Sequence, residues 1–220
     1  MKAIMISDHA KWCALMMNGD KTVEVRKENV GKAVQKLIDE QGFADIYVYC
    51  SKNEYLYRTN KGYFASKKPL AVGKGTDYTF AYSDEGKVLF KFRCYKVEEI
   101  EFFDEYLIPN GYEDYDGEWV DTSITERNVH DIDNRTLQKT CLTYEELQNY
   151  LGDKNGYAIH ISDLVIFDKP KELSEFRPSY QGKCLTSKCK YCDEYGYCEV
   201  ECKDERLTKA PQSYMFIEAE

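Results

Sequence analysis

Residues 18–27 read Asn18-Gly19-Asp20-Lys21-Thr22-Val23-Glu24-Val25-Arg26-Lys27. Gly19 stands where a helix would end, because glycine enters the left-handed C-terminal position without a Cβ penalty. From Thr22 onward, polar and apolar side chains alternate. On a strand, that period puts Thr22, Glu24 and Arg26 on one face and Val23 and Val25 on the other. The stretch therefore predicts a helix, a glycine stop and a strand. The polar face of that strand carries a carboxylate and a guanidinium, with Lys21 at its mouth. Such a face can grip a small polar group, or its charges can neutralise each other.

Upstream, Ala3 to Ile6 predicts a short buried strand. Ser7 or Asp8 then caps a helix over residues 9–18, with Trp12, Leu15 and Met16 at helical spacing. Downstream, Asn29 is expected to cap a second helix. There Val30, Val34, Leu37 and Ile38 recur at i, i+4, i+7 and i+8, and Gly42 ends it. Asp45 to Ser51 reads as a strand. Residues 52–86 read as irregular, and Gly73-Lys74-Gly75 lacks the rest of a dinucleotide fingerprint. Lys87 to Val97 reads as one long strand. Thr143-Tyr144-Glu145-Glu146 is a capping box between Leu142 and Leu147, which form its hydrophobic staple, and Gly152 closes that helix. Tyr157 to Phe167 reads as a central strand stopped by Pro170, and Gln212 to Glu218 as the final strand. Short strands without regular β-α-β alternation predict the α+β class: a small mixed β-barrel with two to four flanking helices and long insertions.

The chain has 220 residues, enough for one domain with insertions, and its 43% hydrophobic content supports a real core. Its 19 tyrosines favour strands and half-wet surfaces. A net charge of -9 argues against strong non-specific binding to duplex DNA, which needs a basic face. Lys2 is followed by too few apolar residues for a secretory signal, and no segment has the length of a membrane span. The expected setting is cytoplasmic, without a membrane partner. The nine cysteines then read as thiols or metal ligands before disulfides. Cys13, Cys50, Cys94 and Cys141 lie at or near apolar elements, where buried inert thiols are expected.

Two insertions interrupt the barrel, which is assigned residues 1–97, 137–176 and 210–220. Residues 98–136 are acidic, with Phe102, Phe103, Tyr106, Tyr112, Tyr115 and Trp119 interleaved. They read as a solvated lid whose aromatics pack on the barrel, or as a surface for an unknown protein partner. Residues 177–209 hold Cys184, Cys189, Cys192, Cys198 and Cys202. Cys189/Cys192 and Cys198/Cys202 match the ligand-pair spacing of structural zinc sites, with Cys184 as a substitute for one of the four. The insertion has few apolar residues, so a zinc ion would give it a reason to be ordered. Free thiols, or disulfides formed after isolation, are the other readings.

Lys2 to Ile6, the helix with Trp12 and the run from Gly19 to Lys27 together resemble the ASCH domain, a PUA-like β-barrel family with the signature G-x-K-x-x-E-x-R after its first helix. Gly156 to Asp163 and Ala210 to Glu218 resemble longer bacterial and phage members. The resemblance implies a PUA-like barrel with a cleft beside the first helix, lined by Lys21, Glu24 and Arg26, that binds or acts on RNA, nucleotides or modified nucleosides. One branch removes the acetyl group of N4-acetylcytidine. It uses a lysine, a threonine three positions later and a glutamate before a later helix. Here Lys21 matches the lysine, Glu24 takes the place of the threonine, and Thr140 falls near the place of the glutamate.

The candidate catalytic set is accordingly Lys21, Glu24 and Thr140. The candidate ligand-binding set is Lys21, Thr22, Glu24, Arg26, Trp12, Ser51 and His160. Arg26 can fork onto a phosphate, Lys21 offers a point charge, and Glu24 can accept from the exocyclic amine of cytosine or guanine. Trp12 offers a stacking face or a core side chain, and Ser162 and Gln212 offer neutral hydrogen bonds. No Ser-His-Asp order, Walker loop or HExxH motif occurs. Three functions follow: a recognition module for single-stranded RNA or a nucleotide, an amidohydrolase-like enzyme on a modified nucleoside, and a protein-interaction module.

Overall fold

The computed structural model describes residues 1–51, 55–71, 78–82, 86–105, 111–113, 115–121, 127–179 and 206–218. The first half of the chain gives β1 (Lys2–Asp8), α1 (Ala10–Asn18), β2 (Val23–Lys27), α2 (Glu28–Gln41), β3 (Ala44–Cys50), β4 (Tyr55–Thr59), β5 (Gly62–Ser66), β6 (Tyr78–Tyr82), β7 (Lys87–Cys94) and β8 (Val97–Ile100). The second half gives β9 (Phe102–Glu105), β10 (Gly111–Glu113), β11 (Trp119–Asp121), β12 (Arg127–His130), α3 (Asn134–Thr140), α4 (Tyr144–Leu151), β13 (Gly156–His160), β14 (Ser162–Lys171) and β15 (Tyr214–Glu218).

The main sheet runs β14-β7-β3-β1-β15. β1 and β3 are parallel, with Ile4 opposite Ile46 and Asp8 opposite Cys50, while β15 lies antiparallel to β1. α1, β2 and α2 form the crossover between the two parallel strands. Ile4 and Ile6 face the core under α1 and α2, where Met16, Val34, Leu37 and Phe90 also lie. Ala3 and Met5 face the other side, against Tyr47, Phe176, Leu207 and Ile217. Burial on both faces explains why β1 reads as an unbroken apolar run.

A second sheet, β2-β13-β8, is antiparallel throughout. Val23, Val25, Ala158 and Ile100 on one of its faces pack with Leu147 and Leu151 of α4. Its other face carries Glu24 and Arg26, opposite Ile159 and Tyr157. A third sheet, β5-β4-β6, is pinned to the end of α1 by Asn18: its Nδ2 donates to the Tyr63 carbonyl at 2.8 Å, and the Tyr63 N–H donates to its Oδ1 at 2.7 Å.

The α+β class agrees with the sequence reading, and the four α-helices of the described residues fall within the two to four expected, but the described strands form separate sheets and do not close into one barrel. The expected strand Tyr157 to Phe167 is split between two sheets. β13 is central in the small sheet, and the chain then crosses at Ile161 into β14, an edge of the large one. Pro170 does not stop β14, because an edge strand tolerates a residue without an N–H. The expected strand Lys87 to Val97 likewise breaks at Tyr95 and Lys96 into β7 and β8. Residues 52–86, read as irregular, contain the hairpin of β4 and β5. α1 takes His9 as its N-cap residue and α2 takes Lys27, neither with a side-chain cap, so the cap positions expected for Ser7 or Asp8 and for Asn29 are corrected.

Gly19 and Gly42 do occupy the left-handed positions after α1 and α2, and Thr143 and Glu146 form the capping box of α4. Within 98–136, Glu98 to Ile100 belong to the small sheet, and Asp133 caps α3, a helix not expected from the sequence. Of the insertion's aromatics, Phe102 lies against the His130 ring and Tyr115 is fully exposed. Among the described residues no helix is long and apolar enough to cross a membrane.

Candidate functional site

β2 is covered on both faces, by α4 on one and by the main core on the other. The charged side chains of the signature are therefore inside the molecule, together with Asp8 of β1: Lys21 is 2% exposed, Glu24 4%, Arg26 9% and Asp8 8%. They form a chain of alternating charge. Lys21 Nζ lies 3.2 Å from Glu24 Oε2, Glu24 Oε1 lies 2.7 Å from Arg26 Nε, and Arg26 Nη2 lies 3.0 Å from Asp8 Oδ2. The Arg26 Nε contact is an ion pair whose N–H points off the line of a hydrogen bond. Arg26 Nη2 also donates to the Ser7 carbonyl at 3.1 Å, and Lys21 Nζ to the Thr140 carbonyl at 2.8 Å. When Asp8 is ionised, two carboxylates and two cations balance, which is how buried charges avoid an uncompensated desolvation cost.

The ends of the chain differ. At Lys21 the network is sealed by α3 and by Trp12, whose ring centroid is 5.0 Å from Lys21 Nζ. At Asp8 it reaches a cleft of about 860 Å³ where β1 and β3 end and α1 begins. The walls of this cleft include Asp8, His9, Ser51, Glu172, Lys209 and Gln212. A crevice at the carboxyl ends of parallel strands is a recurrent place for a ligand. Asp8 Oδ1 accepts from the His9 N–H at 3.0 Å, the Ser51 N–H donates to the Asp8 carbonyl at 2.7 Å, and Ser51 Oγ lies 3.4 Å from His9 Nδ1.

Burial, and then the neighbouring Glu24 carboxylate, push the Asp8 carboxyl up to about 7, against the opposing pull of Arg26 and Lys21. Burial alone would lower the Arg26 guanidinium. Glu24 and Asp8 outweigh it and raise it, so Arg26 stays charged throughout. The Cys13 thiol, in hydrogen-bond contact with the Cys50 thiol and fully buried, is pushed well up, as expected of an inert thiol.

The residues expected at the site divide into three groups. Ser51 and Gln212 line the cleft. Lys21, Glu24 and Arg26 stand behind its wall, with the half-buried Trp12 beside Lys21. Thr22 and His160 lie elsewhere. Thr22 does not share an open face with Glu24 and Arg26: it precedes β2 with its side chain exposed, and its backbone ties Lys139 to Ile161. His160 sits on the Val23 face of the small sheet and pairs with Glu98. Thr140 meets Lys21 through its carbonyl. Its hydroxyl donates to the Leu137 carbonyl at 2.6 Å and accepts from the Leu142 N–H at 3.1 Å, closing α3. Asp8 and His9 were not among the expected site residues. Their signal was a polar pair placed directly after an apolar strand and before a helix.

Cys184, Cys189, Cys192, Cys198 and Cys202 lie outside the described residues. Among the described residues no group of three or more His, Cys, Asp or Glu side chains is placed to hold a metal. Comparison of the chain with family models, with curated proteins and with solved structures finds no match.

Proposed function

We propose that the chain is a recognition module for a nucleotide or a single-stranded RNA base, of PUA-like ASCH type, and that the cleft at Asp8 is its ligand site. The observation that carries this is the meeting of the signature's charge chain with that cleft. Arg26 does not touch the ligand; it fixes Asp8, which does. The volume is within the range of small-molecule sites, and the wall offers a few polar groups from rigid elements. The supporting resemblance is the order of strand, Trp-bearing helix and G-x-K-x-x-E-x-R.

The test is a thermal-shift and titration panel of nucleoside 5′-monophosphates and short single-stranded RNAs. Ser51→Ala and Gln212→Ala should each weaken binding several-fold without lowering the melting temperature. Unchanged binding in both variants refutes the cleft as the site.

A second reading, an amidohydrolase-like enzyme, rests on the contact of Lys21 with both Glu24 and Thr140. It ranks lower because Lys21 is sealed from solvent and the Thr140 hydroxyl is already engaged. Cytidine released from N4-acetylcytidine by wild type, and not by Lys21→Ala, would put it first. For the cysteine cluster we propose one structural zinc, supported by the ligand-pair spacing alone. Metal analysis of reduced protein should find about one ion per chain, and a trace amount removes the proposal.

A further inference from the structure

We propose that Asp8 is the carboxylate with which the cleft reads its ligand, and that the edge it takes is a pair of adjacent N–H donors, among nucleobases the N1–H and N2–H edge of guanine. The inference rests on the nucleotide-recognition reading of the same cleft.

Three observations lead to Asp8. First, it is the single member of the charge chain on the cleft wall. Glu24, which the sequence offered as the base-reading carboxylate, has one cation on each oxygen and is not part of the cleft wall. Second, Asp8 keeps accepting capacity. Oδ1 takes one N–H from His9 and Oδ2 one from Arg26, which leaves each oxygen a second lone pair. Glu172, the other carboxylate of the wall, also takes two partners, Lys87 and the backbone of its own 3-10 turn, but its side chain is 56% exposed, so water competes for its remaining lone pairs. Third, Asp8 is held in place: its side chain is fixed from behind by Arg26 and its backbone is tied to Ser51. A preorganised carboxylate with two free acceptor directions matches two parallel N–H donors better than it matches a donor beside an acceptor.

The charges around Asp8 fix the sign of its pH dependence. Arg26, Glu24 and Lys21 face it from β2 and the turn before it, and His9 and Cys13 from α1. Cys50 pairs with it on β3, Tyr150 faces it from α4, and Glu172 and Lys209 stand across the cleft. Two N–H donors favour the ionised carboxylate. Binding such an edge therefore releases a proton near neutrality and weakens as the solution becomes acidic.

The experiment is titration calorimetry of the full chain with GMP, IMP and CMP at pH 8 and pH 6. IMP differs from GMP only in lacking the N2 amine. GMP should bind at pH 8 about tenfold or more tighter than IMP, the loss expected when one hydrogen bond to a charged group is removed. GMP binding should weaken at pH 6, and the preference should vanish in Asp8→Asn. Equal binding of GMP and IMP by wild type overturns the inference without any variant, so a poorly folding Asp8→Asn does not shield it. Persistence of the preference in a folded Asp8→Asn also overturns it. If CMP binds and GMP does not, guanine reading falls while the recognition module stands. If no nucleotide binds, both fall.

Discussion

Arg26 separates two buried carboxylates, and the energetics of the site follow from that position. Burial first, and then the nearby Glu24 carboxylate, disfavour charge on Asp8, so the folded protein holds a proton there that an unfolded chain would have lost. Between the ordinary value of 3.8 and the folded value of about 7, the native state therefore binds more protons than the unfolded state. Stability contributed by Asp8 is fully present below the lower value and is lost as pH rises through the upper one. Urea unfolding should show it: relative to Asp8→Asn, the wild-type midpoint should fall between pH 5 and pH 8. Parallel curves would refute the assignment. At this scale the sequence exposed the charge alternation of Lys21, Glu24 and Arg26 and the kinship of Lys21 with Thr140. It did not expose their burial, because the cover over β2 comes from α4 on one face and from the main core on the other, assembled from segments far apart in the chain. The reading of Asp8 as a helix cap fails for the same reason, since its partner Arg26 lies beyond the whole of α1.

Among the elements, the contact of α2 with β13 is one that a single glycine controls. A Cβ placed at Gly31 would lie 2.0 Å from Cγ of Tyr157. Alanine there gains up to about 1 kcal/mol in helix propensity. Overpacking opposes this by about 1–3 kcal/mol, and the neighbouring atom belongs to a ring carried on a central strand, which cannot swing away. Gly31→Ala should therefore destabilise, and calorimetry should show a lower melting temperature; an increase would mean that α2 rides freely over the sheet. Helices were more legible than strands here. The amphipathic repeat of α2, the stops at Gly19 and Gly42 and the capping box at Thr143 are local signals. The division of Tyr157 to Phe167 between two sheets is not local, and the two halves of that segment look alike in the sequence. The hairpin of β4 and β5 was legible in retrospect from Leu56, Tyr57 and Phe64 flanking a short polar turn at Asn60 and Lys61.

At the scale of the whole molecule, the cysteine-rich segment is bracketed by a clamp. The Leu207 N–H donates to the Phe176 carbonyl at 3.0 Å, Arg206 Nη1 to the Glu175 carbonyl at 3.1 Å, and Phe176 and Leu207 are both buried in the core behind β1. The ends of the segment are thus held by the main fold. Replacing residues 181–204 with a short Gly-Ser linker should leave the melting temperature within a few degrees of wild type, since shortening a closed loop changes its entropy only slowly. A collapse of stability would show that the segment contributes to the core. The large sheet has a different consequence for the life of the chain. β1 is made well before β15, the strand that covers its outer edge. While the ribosome is still translating, a buried-type strand with Ile4, Met5 and Ile6 therefore presents an open edge. The edge stays open until residue 214 and its neighbours emerge, and the pairing of β15 is the step that ends the exposure.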